Sequence, residues 1–173
     1  DQIWGFGGND TIDGQTGNDY IEGGAGADLL DGGTGTDTVA YTLATAGVEI
    51  RLFSGVGIGN DANGDTFTSI ENVIGSAFAD NISGDTLTNN VHGGGAGNDT
   101  LDGLLGNDTL LGDAGFDVLK GDAGVDTVDY SVNPFGGVVI RLFNGSAYNN
   151  IAENDVLSGL ENIVGTSFAD ELS

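Results

Sequence analysis

Cysteine and methionine are absent from this chain, proline and histidine occur once each, and only three side chains are lysine or arginine. Without cysteine there is neither a disulfide framework nor a thiolate zinc site. The same absence is compatible with an extracellular bacterial protein stabilised by metal ions. Three cations against 27 carboxylates give a formal net charge of −24, which leaves no basic footprint for nucleic acid or anionic lipid. No apolar run reaches the roughly 20 residues that cross a bilayer as a helix, so membrane insertion is not expected. No signal peptide opens the sequence, and the start at Asp1 reads as a cut through a larger protein. Catalytic signatures are missing as well. His92 has no second histidine to work with, and HExxH does not occur. GTSFA at residues 165–169 ends in Ala169 where a nucleophile elbow requires glycine, and its counterpart at 75–79 carries Ala77 in place of Ser167.

What is present is periodic. Acidic, glycine-rich chains are often disordered, but here the hydrophobic residues, 38% of the chain, recur at fixed spacing. From Gly5 the sequence runs in nines: GFGGNDTID (5–13), GQTGNDYIE (14–22), GGAGADLLD (23–31) and GGTGTDTVA (32–40). A second block starts at Gly94 with GGAGNDTLD (94–102) and continues with GLLGNDTLL (103–111), GDAGFDVLK (112–120) and GDAGVDTVD (121–129). Each copy has glycine at positions one and four, aspartate at six and an aliphatic residue at eight. A longer period lies above this one. DTVAY (37–41) recurs as DTVDY (126–130), GVEIRLF (47–53) as GVVIRLF (137–143), and residues 65–83 match 155–173, at an offset of 89 to 90.

Two tandem modules are therefore expected. Residues 1–83 comprise nonamers to 40, an aperiodic segment 41–74 and a degenerate nonamer 75–83. Residues 84–173 comprise nonamers 84–129, an aperiodic segment 130–164 and a degenerate nonamer 165–173.

The last three residues of each nonamer, x-aliphatic-x, read as a short strand with one side chain inward. The glycines before them supply a turn with unusual dihedrals. A strand and a sharp turn every nine residues imply a coil of two strands and two turns, with successive coils stacked as parallel strands about 4.8 Å apart. Ile12, Ile21, Leu30 and Val39 would line a thin core, as would Leu101, Leu110, Leu119 and Val128. Nonamers two apart share an edge, so Asp10 is expected over Asp28, Asp19 over Asp37, Asp99 over Asp117 and Asp108 over Asp126. Carboxylates this close need a cation or a large pKa shift. Carboxylate and turn-carbonyl oxygens suit Ca²⁺. Mg²⁺ would have to shed more of its water, and zinc lacks its usual ligands.

The pattern G-G-x-G-x-D-x-U-x resembles the RTX, or hemolysin-type calcium-binding, nonapeptide repeat. The resemblance implies an all-β parallel β-roll, a β-solenoid with calcium in its turns. It also implies a protein exported by type I secretion and folded outside the cell. Its members include toxins, proteases, lipases, alginate epimerases, adhesins and surface-layer proteins. The expected metal-site residues are Asp10, Asp19, Asp28, Asp37, Asp99, Asp108, Asp117 and Asp126, with turn backbone from Gly5, Gly7, Gly14, Gly23, Gly32, Gly94, Gly103, Gly112 and Gly121. About four complete calcium sites follow from the spacing, with partial ones at the block ends.

Departures from the pattern carry their own expectations. Asn89 replaces the aspartate, and Phe78 and Phe168 the fourth glycine; those turns are not expected to hold a full site, an aromatic ring packing there instead. Gly93 adds one residue ahead of the second block. DANGD at 61–65 lacks the glutamate an EF-hand needs at its twelfth position and reads as a polar loop. Arg51 and Arg141 both fall in IRLF, Glu71 and Glu161 recur with them, and a structural ion pair joining each aperiodic segment to its roll is expected. Extended strands are expected around Val48–Phe53 and Val138–Phe143. Trp4, Tyr20, Leu104 and Leu105 are exposed apolar positions, some of them covering roll ends.

The leading functional expectation is a non-enzymatic, calcium-folded module of a secreted protein, in a long array as in an adhesin or surface-layer protein. Its partners are calcium, neighbouring repeats, and a cell surface or polysaccharide. The rival is a module appended to a secreted epimerase, protease or lipase; an acidic disordered calcium buffer is the third class.

Overall fold

The computed structural model describes residues 1–132, 136–148 and 154–173. Each of the eight nonamers ends in a three-residue strand centred on its aliphatic eighth position, which turns inward after the glycine turn. The first block holds β1 (Gln2–Trp4), β2 (Thr11–Asp13), β3 (Tyr20–Glu22), β4 (Leu29–Asp31) and β5 (Thr38–Ala40). The first aperiodic segment holds β6 (Glu49–Arg51), β7 (Val56–Ile58), β8 (Thr66–Thr68) and β9 (Asn72–Ile74). Next come β10 (Asn81–Ser83), β11 (Asn90–His92), β12 (Thr100–Asp102), β13 (Thr109–Leu111), β14 (Val118–Lys120) and β15 (Thr127–Asp129). The order then repeats with β16 (Val139–Arg141), β17 (Ser146–Tyr148), β18 (Asp155–Ser158), β19 (Asn162–Val164) and β20 (Glu171–Leu172).

Successive nonamer strands fall in opposite sheets. One sheet runs β1-β3-β5-β9-β11-β13-β15-β19; the other runs β2-β4-β8-β7-β6-β10-β12-β14-β18-β17-β16-β20. Nonamers two apart pair in parallel, with Ile12 beside Leu30, Ile21 beside Val39, Leu101 beside Leu119 and Leu110 beside Val128. The fold is an all-β parallel β-roll, and its core is the single column of aliphatic side chains that each sheet turns inward. Ile21, Val39, Val73, Ile82, Val91, Leu101, Leu110, Leu119 and Val128 are fully buried. Both sheets run without a break from the first block into the second, through β9 beside β11 and β10 beside β12.

The aperiodic segments rejoin the roll at β6 and β16, which pair in parallel with β10 and β20; the strands expected over 48–53 and 138–143 are cut short, with Leu52–Phe53 and Leu142–Phe143 in 3-10 turns. Their middle strands are reversed. β7 lies antiparallel to both β6 and β8, and β17 antiparallel to both β16 and β18. Each reversal follows a 3-10 turn that closes on a left-handed glycine, Gly55 (φ 64°) or Gly145 (φ 68°), a conformation that penalises any residue with a Cβ. Residues 133–135 and 149–153 of the expected segment 130–164 lie outside the described residues.

In the polar loop 61–65, Asn60–Ala62 form a 3-10 turn, and Asp65 is buried with its Oδ1 accepting the Asp28 N–H (2.8 Å). The expected arginine pairing changes. Glu71 and Glu161 do not pair with the arginines. They accept the buried N–H groups of Asp37 and Asp126 at 2.8 Å, because the last nonamer of each block needs an acceptor on its open side. Arg51 pairs with Glu49 of its own strand, so of the two arginines only Arg141, 2.6 Å from Glu171 on β20, joins an aperiodic segment to a neighbouring coil by an ion pair.

Each aperiodic segment is pinned by a buried tyrosine. Tyr41 and Tyr130 are almost completely buried and donate to Asp65 Oδ2 (2.6 Å) and Asp155 Oδ2 (2.7 Å). Burial and the adjoining carboxylate push both phenols well above their ordinary pKa, so they stay donors. Tyr41→Phe leaves a buried carboxylate oxygen without its donor. It should lower stability by about 1–3 kcal/mol, measured by denaturant unfolding at saturating calcium; an unchanged unfolding midpoint would remove the tyrosine from the stabilising set.

Candidate metal centre

The turn that precedes each strand presents its sixth-position aspartate to the coil stacked on it. The Asp10 N–H donates to Asp28 Oδ1, Asp19 to Asp37, Asp99 to Asp117 and Asp108 to Asp126, each at 2.8 Å. The four stacked pairs expected from the spacing are thus in contact, backbone of one to carboxylate of the next. Seven of these eight aspartates are buried, and Asp10 is partly so.

Oδ1 is accounted for in seven of the eight, since Asp99 and Asp108 accept the Asp80 and Asn89 N–H groups and Asp19 the Asp1 amino group, but Oδ2 is not. Oδ2 of Asp10, Asp19, Asp28, Asp37, Asp99, Asp108, Asp117 and Asp126 is buried and has no hydrogen-bond partner. The only other such atoms among the described residues are Oδ1 of Asp102 and Nε2 of His92, and the latter lies against Asp113 Oδ2. A buried charged oxygen left without a partner costs several kcal/mol, so an eightfold repetition of it calls for a cation.

The oxygens point into small gaps kept open by the first-position glycines. A Cβ at Gly5 would lie 2.7 Å from Asp10 Oδ2 and 2.5 Å from the Gly23 carbonyl. At Gly14 it would lie 2.6 Å from both Asp19 Oδ2 and the Gly32 carbonyl. Gly103 and Gly121 face Asp108 Oδ2 and Asp126 Oδ2 in the same way, at 2.5 and 2.6 Å, while Gly23, Gly32 and Gly112 stand against Asp28, Asp37 and Asp117. Among the described residues no three His, Asp or Glu side chains converge. Carboxylates therefore act in ones and twos, and backbone carbonyls must complete an all-oxygen shell. That donor set fits a hard, flexible cation such as calcium.

Gly94 does not take the place of Gly5. Gly93 does: its N–H donates to the Leu111 carbonyl as the Gly5 N–H does to Glu22, and it is the glycine that stands against Asp99 Oδ2. The extra residue is absorbed within the loop, where Gly94 and Gly95 both have positive φ. Gly7 sits at the third position in a backbone bridge to Ala25.

Burial raises the pKa of several of these carboxylates. Desolvation is the leading cause throughout. It lifts Asp117 to about 8, Asp99 to about 7 and Asp65 and Asp108 to about 6, and it raises Asp28 and Asp126. The flanking aspartates add Coulombic repulsion.

Several residues of the site were not expected in this role. Asp65, Glu71, Asp155 and Glu161 extend the acceptor ladder beyond the nonamers, and their recurrence at the long period was the available signal. Asn9, Asn18, Asn98 and Asn107 accept N–H groups from the next coil at 2.9–3.2 Å, which explains asparagine at the fifth position of the leading nonamers. Phe78 and Phe168 do not pack into their turns; they are 45% and 49% exposed, and Ser76 and Thr166 donate to Asp80 and Asp170 instead.

The family model for the RTX calcium-binding nonapeptide repeat matches residues 4–39, 94–110 and 102–131, in four copies. A search of curated proteins finds no match.

The direction of the shifts gives a pH dependence. A carboxyl whose folded pKa lies above its free value favours the fold at acid pH, and that contribution is lost as pH rises through the folded value. The metal-free chain should therefore show more β signal by circular dichroism near about pH 5 than near about pH 8, with the loss spread over the interval between. A metal-free fold that strengthens toward alkaline pH would contradict the unpaired-carboxylate account.

Proposed function

Because this chain carries RTX calcium-binding nonapeptide repeats, a calcium-binding structural unit of secreted proteins, we propose that it is a calcium-triggered folding switch, with Asp10, Asp19, Asp28, Asp37, Asp99, Asp108, Asp117 and Asp126 as its carboxylate ligands. The eight buried, partnerless Oδ2 atoms carry this reading. The first-position glycines supply carbonyl oxygens and leave room beside each carboxylate. Bound calcium supplies positive charge between the coils; the chain's own residues orient the oxygens and exclude side chains from the gap.

At low calcium the carboxylates repel one another, and a net charge of −24 favours an open chain suited to export through a narrow channel, as type I secretion requires. At millimolar calcium, binding free energy becomes folding free energy. Calcium at ten times Kd contributes about 1.4 kcal/mol for each site, so about four sites contribute roughly 6 kcal/mol. That is comparable to the whole stability of a typical domain, about 5–15 kcal/mol.

The repetition of one element order, nonamer strands and then a reversed middle strand, supports a place in a longer array of an adhesin or surface-layer protein. The parent gene distinguishes this from a module attached to a secreted enzyme. Further 90-residue units, on the order of the offset within this chain, favour the array, and a catalytic domain favours the enzyme.

Circular dichroism during calcium titration, with magnesium as control, tests the switch. A cooperative gain of β signal with calcium alone is expected, and a chain already folded in chelator would overturn it. Asp19→Ala and Asp108→Ala should each raise the calcium midpoint, by about threefold or more, with an unmoved midpoint removing that residue from the ligand set.

A further inference from the structure

Three turns break the pattern, and they break it in the same way. In the turn of residues 75–80, the Ser76 N–H donates to Asp80 Oδ2 (2.6 Å) and its Oγ to Asp80 Oδ1 (2.8 Å). In residues 165–170 the Thr166 N–H donates to Asp170 Oδ2 and its Oγ1 to Asp170 Oδ1, both at 2.8 Å. In residues 84–89 the Asp85 N–H donates to Asn89 Oδ1 (2.8 Å), and Asn89 Nδ2 reaches the Glu71 carbonyl (2.9 Å). Each oxygen that faces a gap elsewhere is here met by the turn's own donors, and none of these side chains has a buried partnerless atom.

The backbone separates the same two groups independently. The second-position residue is left-handed in all eight turns that hold a partnerless Oδ2: Phe6, Gln15, Gly24, Gly33, Gly94, Leu104, Asp113 and Asp122 have φ between 62 and 102°. Ser76, Asp85 and Thr166 do not have positive φ, and their N–H groups turn inward to the carboxylate or amide.

We propose that the turns ending in Asp80, Asn89 and Asp170 are closed by protein donors and take no calcium, so that Asp80 and Asn89 form a metal-independent seam dividing the roll into two separately loaded calcium blocks. This rests on the switch reading above and extends it. The Asp80 turn stands on one sheet edge and the Asn89 turn on the other, both between residues 5–40 and 93–129. On the block side of the seam Tyr41 already occupies Asp65 Oδ2. No ion is then shared across the seam. Within each block the N–H-to-carboxylate ladder makes filling one turn order the next.

Amide substitution keeps the shape of the side chain, and circular dichroism at saturating calcium checks that the fold survives, because Asp80 Oδ1 also accepts the Val48 N–H (2.7 Å). Asp80→Asn should leave the number of calcium ions bound per chain unchanged, by equilibrium dialysis with metal analysis, and Asn89→Asp should add none. Asp99→Asn should lower the number. Trp4, the only tryptophan, packs 6.4 Å from Tyr20 and reports on the first block alone. In Asp108→Ala/Asp126→Ala the Trp4 fluorescence midpoint should stay within about twofold of the unaltered chain, while the β signal gained with calcium falls. Loss of an ion in Asp80→Asn, gain of one in Asn89→Asp, or a Trp4 midpoint that moves with the second block would overturn the seam. A failure of the unaltered chain to bind calcium would instead overturn the switch reading beneath it.

Discussion

The roll depends on how each buried aspartate divides its two oxygens. Oδ1 receives the N–H of the coil beside it, which sets the register of the turns in the same way that strand pairing sets the register of the sheets. In the eight nonamer aspartates, Asp10, Asp19, Asp28, Asp37, Asp99, Asp108, Asp117 and Asp126, Oδ2 has no such role and no hydrogen-bond partner. An apolar core of one side chain per nine residues is too thin to absorb repeated buried charges, so the turn edges need a compensating ion. On the proposed reading, metal dependence is a consequence of the same residue that builds the turn.

Glycine serves this arrangement by what it leaves out. At the first position the missing Cβ is the space in which a carboxylate and a carbonyl oxygen approach each other. Side chains are tolerated at the second position only at the cost of left-handed backbone, as at Phe6 and Leu104. Where Ser76 or Thr166 offers a hydroxyl and an ordinary backbone, the turn closes on itself. One serine and one dihedral angle therefore separate an ion-seeking turn from a self-sufficient one.

The aperiodic segments use the same chemistry at longer range. Asp65 and Asp155 enter the acidic ladders 37 and 38 residues beyond Asp28 and Asp117, each held by a buried tyrosine. Glu71 and Glu161 end the opposite ladders. Both blocks are bounded by protein groups, and the excursion through β7 or β17 returns the chain to the roll without breaking either sheet.

Period nine, aspartate at six and one aliphatic residue at eight were enough to determine alternate strands in two sheets, the inward column from Ile12 to Val128, and the stacking of Asp10 on Asp28. These follow from local spacing, because a fixed period places side chains without knowledge of anything distant. Only the tertiary structure decided that Gly93 rather than Gly94 faces Asp99, that Glu71 accepts a backbone N–H instead of pairing with an arginine, and that β7 runs backwards. It alone decided which carboxylate oxygens are satisfied and which lack a hydrogen-bond partner. Each of these turns on donors and acceptors far apart along the chain, whose meeting depends on how the coils close on one another, and no repeat pattern encodes that.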